Sequence, residues 1–134
     1  MNRKSVLVDT SIIIDYLRLK NKKETYIYKL LKRGFSVKIS MVTHTELYAG
    51  KSVWENRKIR SVLEKLVGGF QILKLTEERS LLAGELRARL DMQVMDAIIA
   101  ATALSNNLPL ASFNYKHFKD VEDLELFNLC ILNE

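Results

Sequence analysis

A chain of 134 residues and 15.5 kDa is one domain's worth of sequence, long enough to bury a core. At 48% hydrophobic and 28% charged residues it has the balance of an ordinary globular protein, and no apolar run is long enough for a bilayer. The net charge of +5 is uneven: residues 1–74 hold 16 basic against 6 acidic side chains, net +10, whereas residues 75–134 hold 5 against 10, net −5.

The start, MNRKSVLVDTS, turns acidic after a few apolar residues and reads as a first strand, not a signal peptide. Ser5 to Val8 is that strand, with Thr10 or Ser11 as cap of a short helix from Ile12 to Leu17. A helix from Glu24 to Arg33 puts Ile27, Leu30 and Leu31 on one face and stops at Gly34. Val37 to Ser40 is a second strand, and Thr43 to Ala49 a helix ending at Gly50. Ser52 to Val67 reads as one helix with Ile59, Leu63 and Leu66 on a face, followed by a strand from Phe70 to Leu75. Thr76 caps a helix carrying Leu81, Leu82, Leu86 and Leu90. Val94 to Ser105 is an Ala-rich helix too apolar for the surface, and Leu108 to Ala111 and Leu126 to Leu132 are short strands. Cys130, the single cysteine, sits in the last of these and reads as a small buried hydrophobe; with no internal disulfide possible, a reducing cytoplasm is the expected compartment.

Strands alternating with helices predict an α/β fold, a central parallel sheet of four to five strands covered on both faces. No linker, repeat or low-complexity stretch interrupts it, so one domain over residues 1–134 is expected. In such sheets ligands bind beyond the carboxyl ends of the strands. Asp9 directly follows the first strand, Glu46 lies in the helix after the second, and Asp96 is in the first turn of the apolar helix. Taken singly, each has an ordinary explanation as a turn, surface or capping residue. Taken together they gather carboxylates at one sheet edge, where mutual repulsion is relieved by a hard divalent cation such as Mg²⁺. A cation held there polarises a phosphodiester and activates water. The chain has no Walker lysine motif, CxxC, HExxH or GxSxG.

The segments VLVDTSIIIDYL, SMVTHTELYAG, MDAIIAATAL and LPLASFNYKHF, in that order from Val6 to about Phe118, resemble the PIN-domain family and within it the VapC-type toxin ribonucleases. The resemblance implies a three-layer α/β/α fold, a homodimer, Mg²⁺ or Mn²⁺ at an acidic cluster, endonucleolytic cleavage of RNA, and an antitoxin protein as inhibitor. Asp9, Glu46 and Asp96 match the family's acidic positions as catalytic and metal-binding residues, Asp9 and Asp96 as the most direct ligands. Glu46 is either a ligand or the orienter of the attacking water. Thr10 and Ser11 flank the first carboxylate, and Ser112 and Asn114 match a supporting polar segment. The chain departs from the pattern at His117, where many members carry an acid before the phenylalanine; three carboxylates and a polar shell are therefore expected, with His117 read as a surface or packing residue.

The densest basic stretch, Arg18, Lys20, Lys22 and Lys23, reads equally well as a phosphate-contacting segment or a solvated loop. Trp54, Tyr16, Tyr26, Tyr28 and Tyr48 fit cores or dimer contacts as well as base stacking. His44 is read as facing away from the acids, and Asp15, one turn into the first helix, as an exposed polar position that could also border the site. Two rival functions share these residues: a PIN-type nuclease acting on DNA or structured nucleic acid, and a catalytically weak nucleic-acid- or antitoxin-binding module.

Overall fold

A computed structural model describes residues 4–134. Its centre is a four-stranded parallel sheet in the order β3-β2-β1-β4, made of β1 (Ser5–Val8), β2 (Ser36–Ser40), β3 (Gln71–Leu73) and β4 (Leu110–Ala111). Eight helices surround it among the described residues: α1 (Thr10–Arg18), α2 (Tyr26–Lys32), α3 (Met41–Leu47), α4 (Lys51–Glu55), α5 (Arg57–Gly68), α6 (Glu77–Leu90), α7 (Val94–Ser105) and α8 (Tyr115–Phe118).

The pleat of β1 divides the core into two layers. Val6 and Val8 point into one cluster with Ile12, Ile13, Ile27, Leu30 and Leu63; Leu7 points into the other with Ala97, Ala100, Leu110 and Phe118. A parallel strand buried on both faces carries no polar alternation, which is why SVLV is apolar throughout. On the second face the small side chains Ala97, Ala100, Ala101 and Ala103 are all buried in α7 and let α6 pack closely. The three-layer α/β/α arrangement expected from the sequence is thus the one observed.

Several boundaries differ for local reasons. The cap of α1 is Asp9, not Thr10 or Ser11: its side chain accepts from the Ser11 amide. Glu24 to Arg33 is not one helix, because Thr25 ends a 3-10 turn (Lys22–Glu24) and caps α2 through its own hydroxyl. Ser52 to Val67 breaks at Asn56, whose extended backbone and side-chain bonds to the Lys58 and Ile59 amides start α5 afresh. The expected strand Leu126 to Leu132 contributes one parallel bridge, Leu126 to Leu110. Asn128 then caps a 3-10 turn (Leu129–Asn133) that tucks Leu132 into the core and leaves Cys130 exposed, against the expectation that this thiol is buried.

The strand order fixes where a ligand crevice opens. From β1 the chain moves out to β2 and β3 on one side, and β4 is laid on the other. The carboxyl ends of β1 and β4 therefore flank the point where the winding reverses, the usual ligand position in open parallel sheets.

Candidate functional site

Asp9 leaves β1 at that point, and Ser112 leaves β4 beside it; the Asp9 amide bonds to Ala111 O at 3.0 Å. Asp9 is 3% exposed, and its carboxyl is held at both oxygens. Ser11 Oγ donates to Oδ1 at 2.5 Å, and Ser112 Oγ donates to Oδ2. The backbone behind these hydroxyls is tied in turn: the Phe113 amide donates to Ser11 Oγ at 3.2 Å and the Asn114 amide to Ser112 Oγ at 2.8 Å. Asn114 thus supports the shell through its backbone. Burial raises the Asp9 pKa above its ordinary value, and the bonds from Ser11, Ser112 and the Ile12 amide oppose that shift without cancelling it.

Glu46 reaches the same edge from α3. Thr10 Oγ1 donates to Glu46 Oε1 at 2.6 Å and lies 3.2 Å from Thr43 Oγ1, which also accepts from Ser40 Oγ at 3.2 Å. Ser40, Thr43 and Thr10 form a chain of hydroxyls from the end of β2 to Glu46. The sequence reading missed Ser40 and Thr43, although Thr43 precedes Glu46 by one helical turn and so shares its face.

Asp96 is in the first turn of α7, mostly covered, and its partner is His117 on α8, with Nδ1 3.1 Å from Oδ2. A carboxylate oxygen can only accept, so toward an ionised carboxyl the bond requires the proton on Nδ1. His117 is exposed, as the sequence reading expected, and in addition bonds to Asp96. The fully buried Phe118 beside it anchors α8 and sets where the imidazole falls. Asp15, by contrast, has one oxygen buried without a partner, so it is less exposed than its helical position suggested.

Of the basic stretch, Lys22 has an internal role. Its ammonium donates to the carbonyls of Tyr16 and Leu19 and closes the C-terminus of α1. Arg18, Lys20 and Lys23 are exposed.

Among the described residues, no group of three or more histidine, cysteine or acidic side chains is arranged to hold a metal ion. Asp9, Glu46 and Asp96 are each held by a hydroxyl or imidazole partner. The donor set nevertheless suits Mg²⁺ or Mn²⁺. All donors are carboxylate oxygens, and Mg²⁺ is commonly held by one or two carboxylates with water and substrate oxygens completing its shell. A carboxylate as buried as Asp9, with no cationic side chain bonded to it, is also one that a cation would stabilise.

Residues 6–124 match the PIN domain family. The chain is 30% identical over 125 residues to Ribonuclease VapC10 of Mycobacterium tuberculosis, covering 90% of each protein. It is 29% identical over 126 residues to Ribonuclease VapC1 of Methanocaldococcus jannaschii, covering 90% of this chain and 84% of that protein. Its fold is similar to the DNA-bound VapBC of Salmonella typhimurium (TM-score 0.77, 21% identity, 96% of this chain and 100% of that one). It is also similar to VapBC-1 of nontypeable Haemophilus influenzae (TM-score 0.76, 23% identity, 94% and 98%).

Proposed function

The chain belongs to the PIN-domain family, and from that premise we propose that it is an endoribonuclease toxin of a toxin–antitoxin pair, hydrolysing RNA phosphodiesters with the help of a divalent cation. The observation that carries the reading is the buried Asp9 carboxyl at the strand switch, held at both oxygens by Ser11 and Ser112, with Glu46 bonded to the adjacent Thr10.

Asp9 and Asp96 would hold the cation, water and substrate oxygens would fill the rest of its shell, and Glu46 would act beside it. Bound there, Mg²⁺ or Mn²⁺ supplies Lewis-acid polarisation of the scissile phosphate. The chain's own residues do the positioning. Ser11 and Ser112 fix the Asp9 oxygens, and the Thr10 bond leaves Glu46 Oε2 to accept a proton from an attacking water. The His117 bond fixes the orientation of Asp96. Because the acids repel a polyanion, binding falls to the basic half of the chain, where Arg18, Lys20 and Lys23 are exposed.

Two partners belong to the proposal. A groove of about 480 Å³ is lined by Ile14, Leu17, Leu47, Val53 and Val62 and bordered by Glu46. An apolar antitoxin segment seated there would cover Glu46 and block the site. The homodimer contact is assigned to α6 and α7. Of the helix faces that the sequence offered for this contact, Ile27, Leu30 and Leu63 are spent on the chain's own core while Leu31 and Ile59 stay exposed; Leu81, Leu90, Val94 and Met95 also face solvent. No helix among the described residues is long and apolar enough to cross a membrane.

The test is cleavage of matched RNA and DNA oligonucleotides with Mg²⁺, with Mn²⁺ and with chelator. Metal-dependent cleavage of RNA that disappears in Asp9→Asn is the expected result. Cleavage of DNA alone would transfer the site to the DNA-nuclease reading, and binding without turnover to the binding-module reading.

A further inference from the structure

Phe113 is 45% exposed, although Phe118, five residues on, is fully buried. The same short segment therefore buries one phenylalanine and leaves the other in water. Phe113 follows Ser112, the residue whose hydroxyl bonds to Asp9, and its own amide bonds to Ser11 Oγ, the other hydroxyl on that carboxyl. The ring is thus carried on the backbone that holds the candidate site. Tyr26 backs it in a T-shaped contact, ring centroids 5.5 Å apart at 68°. The Lys29 ammonium lies 5.2 Å from the Tyr26 centroid, and Tyr115, 58% exposed, opens α8 two residues further on, followed by the exposed Lys116.

We propose that Phe113 is a stacking platform for the base of the nucleotide that adjoins the scissile phosphodiester in single-stranded RNA. The proposal rests on the ribonuclease reading and deepens it by naming how the strand is seated. An exposed aromatic face accepts any base, since every base has a π-face, and it requires that base to be unpaired. Base and phosphate of one nucleotide are separated only by the ribose, and Phe113 is separated from Asp9 only by the serines that bond to it. Lys29, whose ammonium lies beside Tyr26 and bonds to Asn133 Oδ1, and Lys116, which shares a pocket with Asp96 and Asp120, are the cations nearest in sequence or contact to the platform and suit the phosphates that flank the stacked base. The surface therefore selects single strands over duplexes without choosing among bases.

The experiment compares the full-length parent with Phe113→Ala, Phe113→Leu and Phe113→Trp on a single-stranded RNA whose cleavage position has been mapped. Leucine keeps apolar cover over Tyr26 but has no π-face, and tryptophan keeps the face. Steady-state kinetics are read beside the fluorescence of 2-aminopurine placed on either side of the cut, the latter in an Asp9→Asn background so that the strand stays whole. The expected result is that alanine and leucine raise KM on the order of ten- to a hundredfold with kcat largely held. Both should abolish the quenching of one 2-aminopurine position, and tryptophan should preserve it. A leucine variant that matches the parent in KM and in quenching overturns the proposal and leaves Phe113 as cover for Tyr26. A parent that cleaves no RNA is a separate result, which removes the ribonuclease reading and the platform with it.

Discussion

The Thr10 hydroxyl donates to Glu46 Oε1 at 2.6 Å and so joins the first turn of α1 to the last turn of α3, across 36 residues of sequence. A bond to an ionised group contributes more than one between neutral partners, and this one leaves a single Glu46 oxygen to act on water. Thr10→Val keeps the shape and removes the donor. It should lower kcat about 10- to 100-fold, the equivalent of about 1.5–3 kcal/mol. Thr10→Ser should restore most of that loss. Equal kcat for valine and parent would leave the bond with no part in turnover.

Asp9→Asn should separate stability from activity. Burial raises the folded pKa of Asp9, so the folded chain holds this proton more tightly than the unfolded chain. Stability from this group is present when pH is low enough to protonate it and is lost as pH rises through the raised pKa. At neutral pH without metal, Asp9 is therefore a net cost, and asparagine, an equally good N-cap, removes it. Metal-free Asp9→Asn should melt above the parent at pH 7, with the gap closing as pH falls toward about 4. Added Mg²⁺ should raise the parent's midpoint and not the variant's. Melting curves across pH, with and without Mg²⁺, decide it; a variant less stable than the parent at pH 7 in chelator would contradict the sign.

Within the basic stretch the lysines should not behave alike. Neutralising Arg18, Lys20 and Lys23 should flatten the salt dependence of RNA binding, by about 0.7 in slope for each phosphate that no longer meets a cation. Lys22 is occupied with the carbonyls at the end of α1, so Lys22→Met should lower thermal stability and leave the slope nearly unchanged. A salt titration beside a melt reads both. An unchanged slope in the triple variant would make the stretch a solvated loop.

The dimer should depend on α6 and α7. Leu81 is 77% exposed, and Val94 and Met95 face solvent just before Asp96. Val94→Asp with Met95→Lys changes only surface positions, so the fold should survive while light scattering at micromolar concentration shifts from dimer to monomer. A parent that is already monomeric there would count against the assembly, and a double variant that remains dimeric against this surface.

Local chemistry was legible in the sequence. β-Branched SVLV, the Thr76 cap, the Ala-rich stretch from Val94 to Ser105 and the acids beside strand ends are short-range patterns, and the corresponding elements formed where those patterns lie. Caps were harder to assign: Thr10 and Ser11 rivalled Asp9, while Thr25, Asn56 and Asn128 lie inside stretches that read as single continuous elements, and only backbone direction reveals the breaks. Side-chain pairings between distant segments were not legible at all. Ser112 on Asp9, Thr10 on Glu46 and His117 on Asp96 join residues 103, 36 and 21 positions apart. Those partners meet only because β4 lies against β1, α3 packs against α1 and α8 packs against α7. A hydroxyl in a sequence has no direction; strand register and helix packing give it one. The sequence by itself determined which residues could do chemistry at the sheet edge, and the tertiary structure decided which of them hold one another there.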